Sequence, residues 1–370
     1  MTENNKNLGI DGFDPSKVNK LSAKEILKRV GPGIVLTGVV IGPGNITTSA
    51  MIGANYGYSL IWLIIPILIM GVTFMLTSYR ISMLTGMPIL HAIRHYYGKV
   101  ASGFCGVALF LSCLFFTLGN ISGTGAGMNL VFGINWKLGA LIMLAVLTVL
   151  YFSKGVYSKV EKGILVCIIA MIFAFYATLV ATGGPDWGAM GHGLTHWSVP
   201  EGSLTTALAY ISTNAAVTAG IYGTYLGAEK KWKKEDLFNG GMKWDAIAHV
   251  VSVILISGAI MLVGAIVLNP QGIQIKAPAQ LAALLVPFLG KASNIVMGVA
   301  LLGAGFSSLL GNTQRGMVLL SAGFDKDVSL ESKLIRWGCM ITLAFACVVC
   351  FIYDLSLIHI SEPTRLQLIS

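Results

Sequence analysis

From Gly31 to Tyr353 the chain passes through successive apolar runs of about 18 residues or more, each long enough to cross a hydrocarbon core of about 30 Å. Segments this apolar have no stable place in a water-soluble fold, so the pattern limits the architecture to membrane-spanning helices. Nine spans are read, near 31–53, 59–84, 101–129, 138–153, 163–182, 203–227, 246–268, 292–322 and 335–353. Composition agrees: 11% of residues are charged, against roughly 25% in an ordinary soluble domain. The expected class is an all-α integral membrane protein with the lipid bilayer as its main partner. No acid pair, metal cluster or nucleophile site at one depth points to an enzyme.

The net charge of +9 does not indicate nucleic acid, because the basic residues gather in the short segments between spans, where membrane topology is encoded. With the amino terminus in the cytoplasm, all but four of the 25 Lys and Arg fall on the inner side. The exceptions are Lys137, Lys276, Lys291 and Arg365. Arg315, Lys326, Lys333 and Arg336 are counted as the last inner group. The reading is a multi-pass protein of the cell (inner or plasma) membrane, amino terminus cytoplasmic and without a cleavable signal peptide. Its six cysteines fall within spans, where a thiol behaves as a small hydrophobe.

Three regions follow from these signals. Residues 1–30 form a cytoplasmic arm whose amphipathic part, from Leu21 to Val30, is expected on the membrane surface. Residues 31–354 form a single transmembrane domain, in which the external loop 183–202 carries Trp187 and Trp197 as expected interface anchors. Residues 355–370 change character abruptly, read like adapter-derived sequence, and are expected to be non-native, the true chain continuing differently.

Two spans carry helix-breaking or small residues at mid-depth: Gly42-Pro43-Gly44-Asn45 in the first and the stretch Thr213 to Gly220 in the sixth. Backbone freed from its helix there needs protein, water or substrate as partner, because lipid offers none. Spans one and six are also corresponding members of two five-span repeats, and paired broken helices are the best pointer in a sequence to a transporter's binding site.

The text Gly31-Pro-Gly-Ile-Val-Leu-Thr-Gly-Val-Val-Ile-Gly-Pro-Gly-Asn45, followed by Gly53-Ala-Asn-Tyr-Gly-Tyr-Ser-Leu60, resembles the Nramp (natural resistance-associated macrophage protein) family of divalent-metal transporters. The likeness continues at Gly123-Thr-Gly-Ala-Gly-Met-Asn-Leu-Val-Phe-Gly-Ile134 and at Gly305-Phe-Ser-Ser308. It implies the LeuT-like inverted-repeat fold, which has more helices than the nine read here, so the chain is expected to be truncated at its carboxyl end. It also implies a site to which this sequence brings different chemistry. Where the family has a first-span acid the chain has Gly42, while the following Asn45 remains. The positions of the family's sixth-span Met-Pro-His are Thr218, Ala219 and Gly220, and two third-span acids associated with proton movement fall at Thr117 and Asn120. Such a chain is an atypical member, nearest in spirit to the Nramp-related magnesium transporters.

All sixteen Asp and Glu lie in termini, loops or span ends. His91, His95 and His249 sit toward the cytoplasmic ends of spans and are expected to be solvated. Transport is therefore expected not to be proton-coupled, since coupling needs a buried group that titrates during the cycle. The candidate lining is Asn45, Gly42, Thr218, Gly220 and the carbonyls of Val39 and Ala215, with Thr47, Asn214 and Ser308 as further pocket residues. Asn45 is either a substrate ligand or a helix cap, Thr218 either a ligand or bonded back to its own helix, and Asn120 either a pocket residue or interhelical glue. The expected cargo is a divalent cation, Mg²⁺ ahead of Mn²⁺, held through uncharged oxygens and its own waters. No resident cofactor is expected. The alternative is a carrier of a neutral or zwitterionic organic solute, whose carboxylate would meet the amino termini of half-helices. Gly42→Asp is expected to raise transition-metal binding if the pocket keeps the family's geometry.

Overall fold

Backbone amides and carbonyls inside a bilayer must satisfy one another, which closed helices achieve. The computed structural model is helical in every spanning segment it describes, with no strand among the described residues. Those residues are 18–22, 24–26, 37, 40–152, 157–215, 217–226, 232–275 and 278–353. Most of the arm, Val39 and the tail 355–370 lie outside them. Of the expected surface segment only residues 21, 22 and 24–26 are described, and there the Leu21 amide donates to the Asn239 carbonyl at 3.1 Å, tying the arm to the loop before a later helix.

Each of the nine expected spans coincides with helix. They are α1 (Pro43–Tyr56), α2 (Ile64–Thr85), α3 (Ile89–Phe132), α4 (Trp136–Phe152) and α5 (Tyr157–Ala181) in the first half. After the short α6 (Trp187–Thr195) come α7 (Leu204–Asn214) and α8 (Val217–Gly223), which are the two halves of the sixth span, then α9 (Gly241–Val263), α10 (Ser293–Gly323) and α11 (Lys333–Ile352). Helix α3 starts well before the expected 101 because an approach helix joins it through Gly98, whose φ of 88° suits glycine and bends the chain without ending the helix. Helix α6 was not expected; Asp186 caps it, its carboxylate accepting from the Gly188 and Ala189 amides at 2.9 and 3.0 Å. Trp187 and Trp197 stand exposed beside it, and Trp197 stacks on Trp62 at 5.1 Å.

Helices pack most closely where side chains are smallest. A Cβ on Gly106 would lie 2.9 Å from the Gly323 Cα, so α3 and the last turn of α10 touch backbone to backbone. One buried core joins α3, α4, α10 and α11 around Leu118, Leu147, Leu309 and Leu343; a second joins α1, α5, α9 and α10 around Ile46, Phe175, Ile260 and Leu301. The outside is apolar too: Phe104, Val149, Phe173 and Ile341 are all exposed, as a lipid-facing surface requires.

Candidate functional site

The first break is written in Gly42-Pro43. Gly42 is extended (φ −103°, ψ 177°), and Pro43, having no N–H to lose, starts α1 directly after it. The second break falls at Ala215 (φ −106°, ψ 43°), where α7 ends at Asn214 before α8 resumes at Val217. The breaks are joined by an amide pair: Asn45 Nδ2 donates to Asn214 Oδ1 at 3.0 Å, and Asn214 Nδ2 donates to the Tyr210 carbonyl at 2.7 Å.

The side chains of the expected site residues are placed as follows. Asn45 is no cap, since α1 has none from a side chain; its donor is committed across the gap and its Oδ1 is buried without a partner. The Thr218 hydroxyl is buried beside the Cys113 thiol rather than bonded back to its helix. Thr47 and Thr117 are spent locally, donating to the Pro43 and Cys113 carbonyls, each at 2.8 Å. Gly220 faces α2, where an added Cβ would lie 3.1 Å from the Phe74 carbonyl, so it is a packing position. Asn120 and Ser308 fill the space over Gly42: a Cβ there would come within 2.5 Å of Asn120 Oδ1 and 2.6 Å of Ser308 Oγ.

Beside the clasp lies a cavity of about 410 Å³ with walls from α1, α3, α7 and α10. Asn45, Thr48, Ser112, Asn120, Ser212, Thr213 and Asn312 supply polar atoms, and Phe115 and Phe116 an apolar side. No carboxylate is among its lining residues. Among the described residues, no three His, Cys, Asp or Glu come together as a metal site.

One lining residue overturns an expectation. Arg315, counted above with an inner loop, sits within α10 at 2% exposure and forms part of the cavity wall. Its guanidinium donates to Asn312 Oδ1, while Nε and Nη1 have no partner. Charge counting sorts residues by loop and ignores depth; the usable signal was that 315 falls inside the expected span 292–322, where an ionisable side chain is itself a functional marker.

One histidine differs from expectation. His249 is buried, not solvated, with Nδ1 3.0 Å from Thr37 Oγ1. One turn before it, Asp245 is buried and hydrogen-bonded to Tyr79, so a carboxylate does enter the start of α9, though not the cavity. His91 stays near the surface, 3.1 Å from the Tyr225 hydroxyl and 3.7 Å from Asp325.

Comparison with known proteins adds lineage to geometry. A "Divalent metal cation transporter MntH" of Agrobacterium fabrum is 28% identical over 331 residues, 86% of this chain and 70% of that protein. One of the same description from Caldanaerobacter subterraneus subsp. tengcongensis is 24% identical over 323 residues, covering 85% and 76%. Among solved structures, the Eremococcus coleocola manganese transporter in complex with an aromatic bis-isothiourea substituted compound superposes with a TM-score of 0.69 at 17% identity, over 91% of this chain and 74% of that one. That likeness gives the fold, the LeuT-like arrangement that the family resemblance implied. The profile of natural resistance-associated macrophage protein-like (Nramp) sequences matches residues 33–362, nearly the whole chain. The broken helices, their spacing and this match lead to one conclusion: the chain belongs to the Nramp family of membrane transporters.

Proposed function

We propose that the chain is a secondary-type transporter that carries a divalent metal cation, Mg²⁺ or a Mn²⁺-like ion, through the cavity at the two facing breaks, without moving protons. The observation that carries this reading is the buried, unpartnered Asn45 Oδ1. A buried acceptor without a donor costs about 1–3 kcal/mol, and a cation or one of its waters at this position removes that cost. The cavity of about 410 Å³ has room for an ion that keeps several waters. The relatives named as divalent metal cation transporters support the same cargo. The absence of Asp, Glu and His from the lining supports transport without proton movement. A second reading, a carrier of a small neutral or zwitterionic organic solute, is favoured by Arg315 alone.

The distribution of loop charges supports a cytoplasmic amino terminus in the plasma or inner membrane; moving Arg315 from the inner count to the cavity leaves Lys326, Lys333 and Arg336 on that side. Reconstituted liposomes test the function. With a metal-sensitive dye inside, Mg²⁺ or Mn²⁺ added outside should enter, while a luminal pH dye stays flat. Asn45→Ala should slow entry by about tenfold, the equivalent of about 1.4 kcal/mol. No entry with the unaltered protein rejects the cation reading, and acidification in step with metal entry rejects the absence of coupling.

A further inference from the structure

Among the described residues that line the cavity, the one formal charge is positive, and none of them neutralises it. An arginine cannot escape burial by releasing its proton, and taking a cation out of water costs several kcal/mol unless an anion accompanies it. Arg315 is 2% exposed, donates to the neutral Asn312 amide, and has no carboxylate partner among the described residues. Its neighbour Cys113 offers a weakly accepting sulfur.

A second positive feature reaches the same cavity from another helix. Gly44 and Asn45 line it from the first turn of α1, where amides have no partner within the helix and the macrodipole is positive. That turn holds no acidic residue, and no side chain caps it. Phe115 and Phe116 give the cavity an apolar side against which a carbon skeleton can rest.

We propose that this cavity binds a small carboxylate-bearing anion, its carboxylate held between the Arg315 guanidinium and the first amides of α1. The planar fork of a guanidinium matches a carboxylate with two parallel N–H···O bonds. The carboxylate can come from an organic solute alone or from one that chelates a divalent cation. The inference deepens the proposed function, since it assigns chemistry to the same cavity: a bare dication is repelled by Arg315, whereas a carboxylate chelate brings a ligand that the guanidinium attracts.

The test is thermal unfolding of the full chain in nanodiscs, followed by tryptophan fluorescence at constant ionic strength in chloride. Sodium acetate, succinate, citrate and glycine are each added with and without MgCl₂. At least one should raise the midpoint saturably by about 2 °C or more, and Arg315→Gln should lose the shift while Arg315→Lys keeps part of it. A shift without Mg²⁺ identifies a free carboxylate as ligand, and one that requires Mg²⁺ identifies a chelate. Should the Arg315 variants fail to fold, Ser112→Phe, which narrows the cavity and leaves the arginine in place, should abolish the shift. The inference is overturned if no carboxylate shifts the unaltered protein, if sulfate does so equally, or if the shift survives in Arg315→Gln. MgCl₂ alone stabilising Arg315→Gln more than the unaltered protein, with no carboxylate effect, also overturns it and leaves cation transport standing. A carboxylate shift in a protein that moves no metal in liposomes upholds the anion site and removes the cation reading instead.

Discussion

Replacing Gly53 by leucine should leave almost no protein that elutes from detergent extracts as a single species. A Cβ at this position would stand 1.9 Å from the Met261 carbonyl oxygen and 2.8 Å from the Ala265 amide nitrogen. Both are backbone atoms of α9 and of the wider turn, Gly264–Leu268, that continues it, so no rotamer change makes room. The contact is reciprocal, since a Cβ on Gly264 would come 2.8 Å from the Ala50 carbonyl. Separating two helices that touch in this way exceeds ordinary overpacking, and more than about 3 kcal/mol is expected. Gly191→Ala is the control: it lies on short α6 with nothing within 4 Å of its added methyl, and its elution profile should match the unaltered protein. A normal profile for Gly53→Leu would mean that α1 and α9 cross at a greater distance than described here.

Gly42→Asp is the second large effect, and its expected direction reverses the one drawn from the family pattern. Aspartate at a helix amino terminus normally stabilises by about 1 kcal/mol. Here its Cβ would fall 2.8 Å from Ser308 Cβ, which is fixed to the α10 backbone, besides meeting the polar atoms of Asn120 and Ser308. The single variant should therefore unfold at a lower temperature, by about 1–3 kcal/mol, with no gain in Mn²⁺ binding by calorimetry. Removing the obstacle as well, in Gly42→Asp with Ser308→Gly, should recover stability. Even then the new carboxylate enters a cavity whose wall already holds Arg315, and an ion pair competes with metal for its oxygens. Tight Mn²⁺ binding by the single variant would show that the pocket keeps the family's geometry after all.

The spans were legible because bilayer thickness imposes a length on every apolar run, and the breaks because Gly42-Pro43-Gly44 cannot continue a helix from either side. Directions were not legible. Thr218 and Gly220 stand two residues apart, about 200° around a helix; one buries a hydroxyl beside Cys113 and the other packs on α2. His249 reads as a residue near a span end, and its burial depends on Thr37, which is distant along the chain. Arg315 was misplaced for a different reason: it was weighed as a unit of topological charge, although its surroundings on α10 set what it does.

The amide pair between Asn45 and Asn214 is a neutral fastener across the two halves of the carrier. A neutral hydrogen bond contributes about 1 kcal/mol net, roughly a fivefold preference between fastened and open forms. So light a catch lets the two broken segments part at little cost, and among the described residues no ion pair reinforces it at this point.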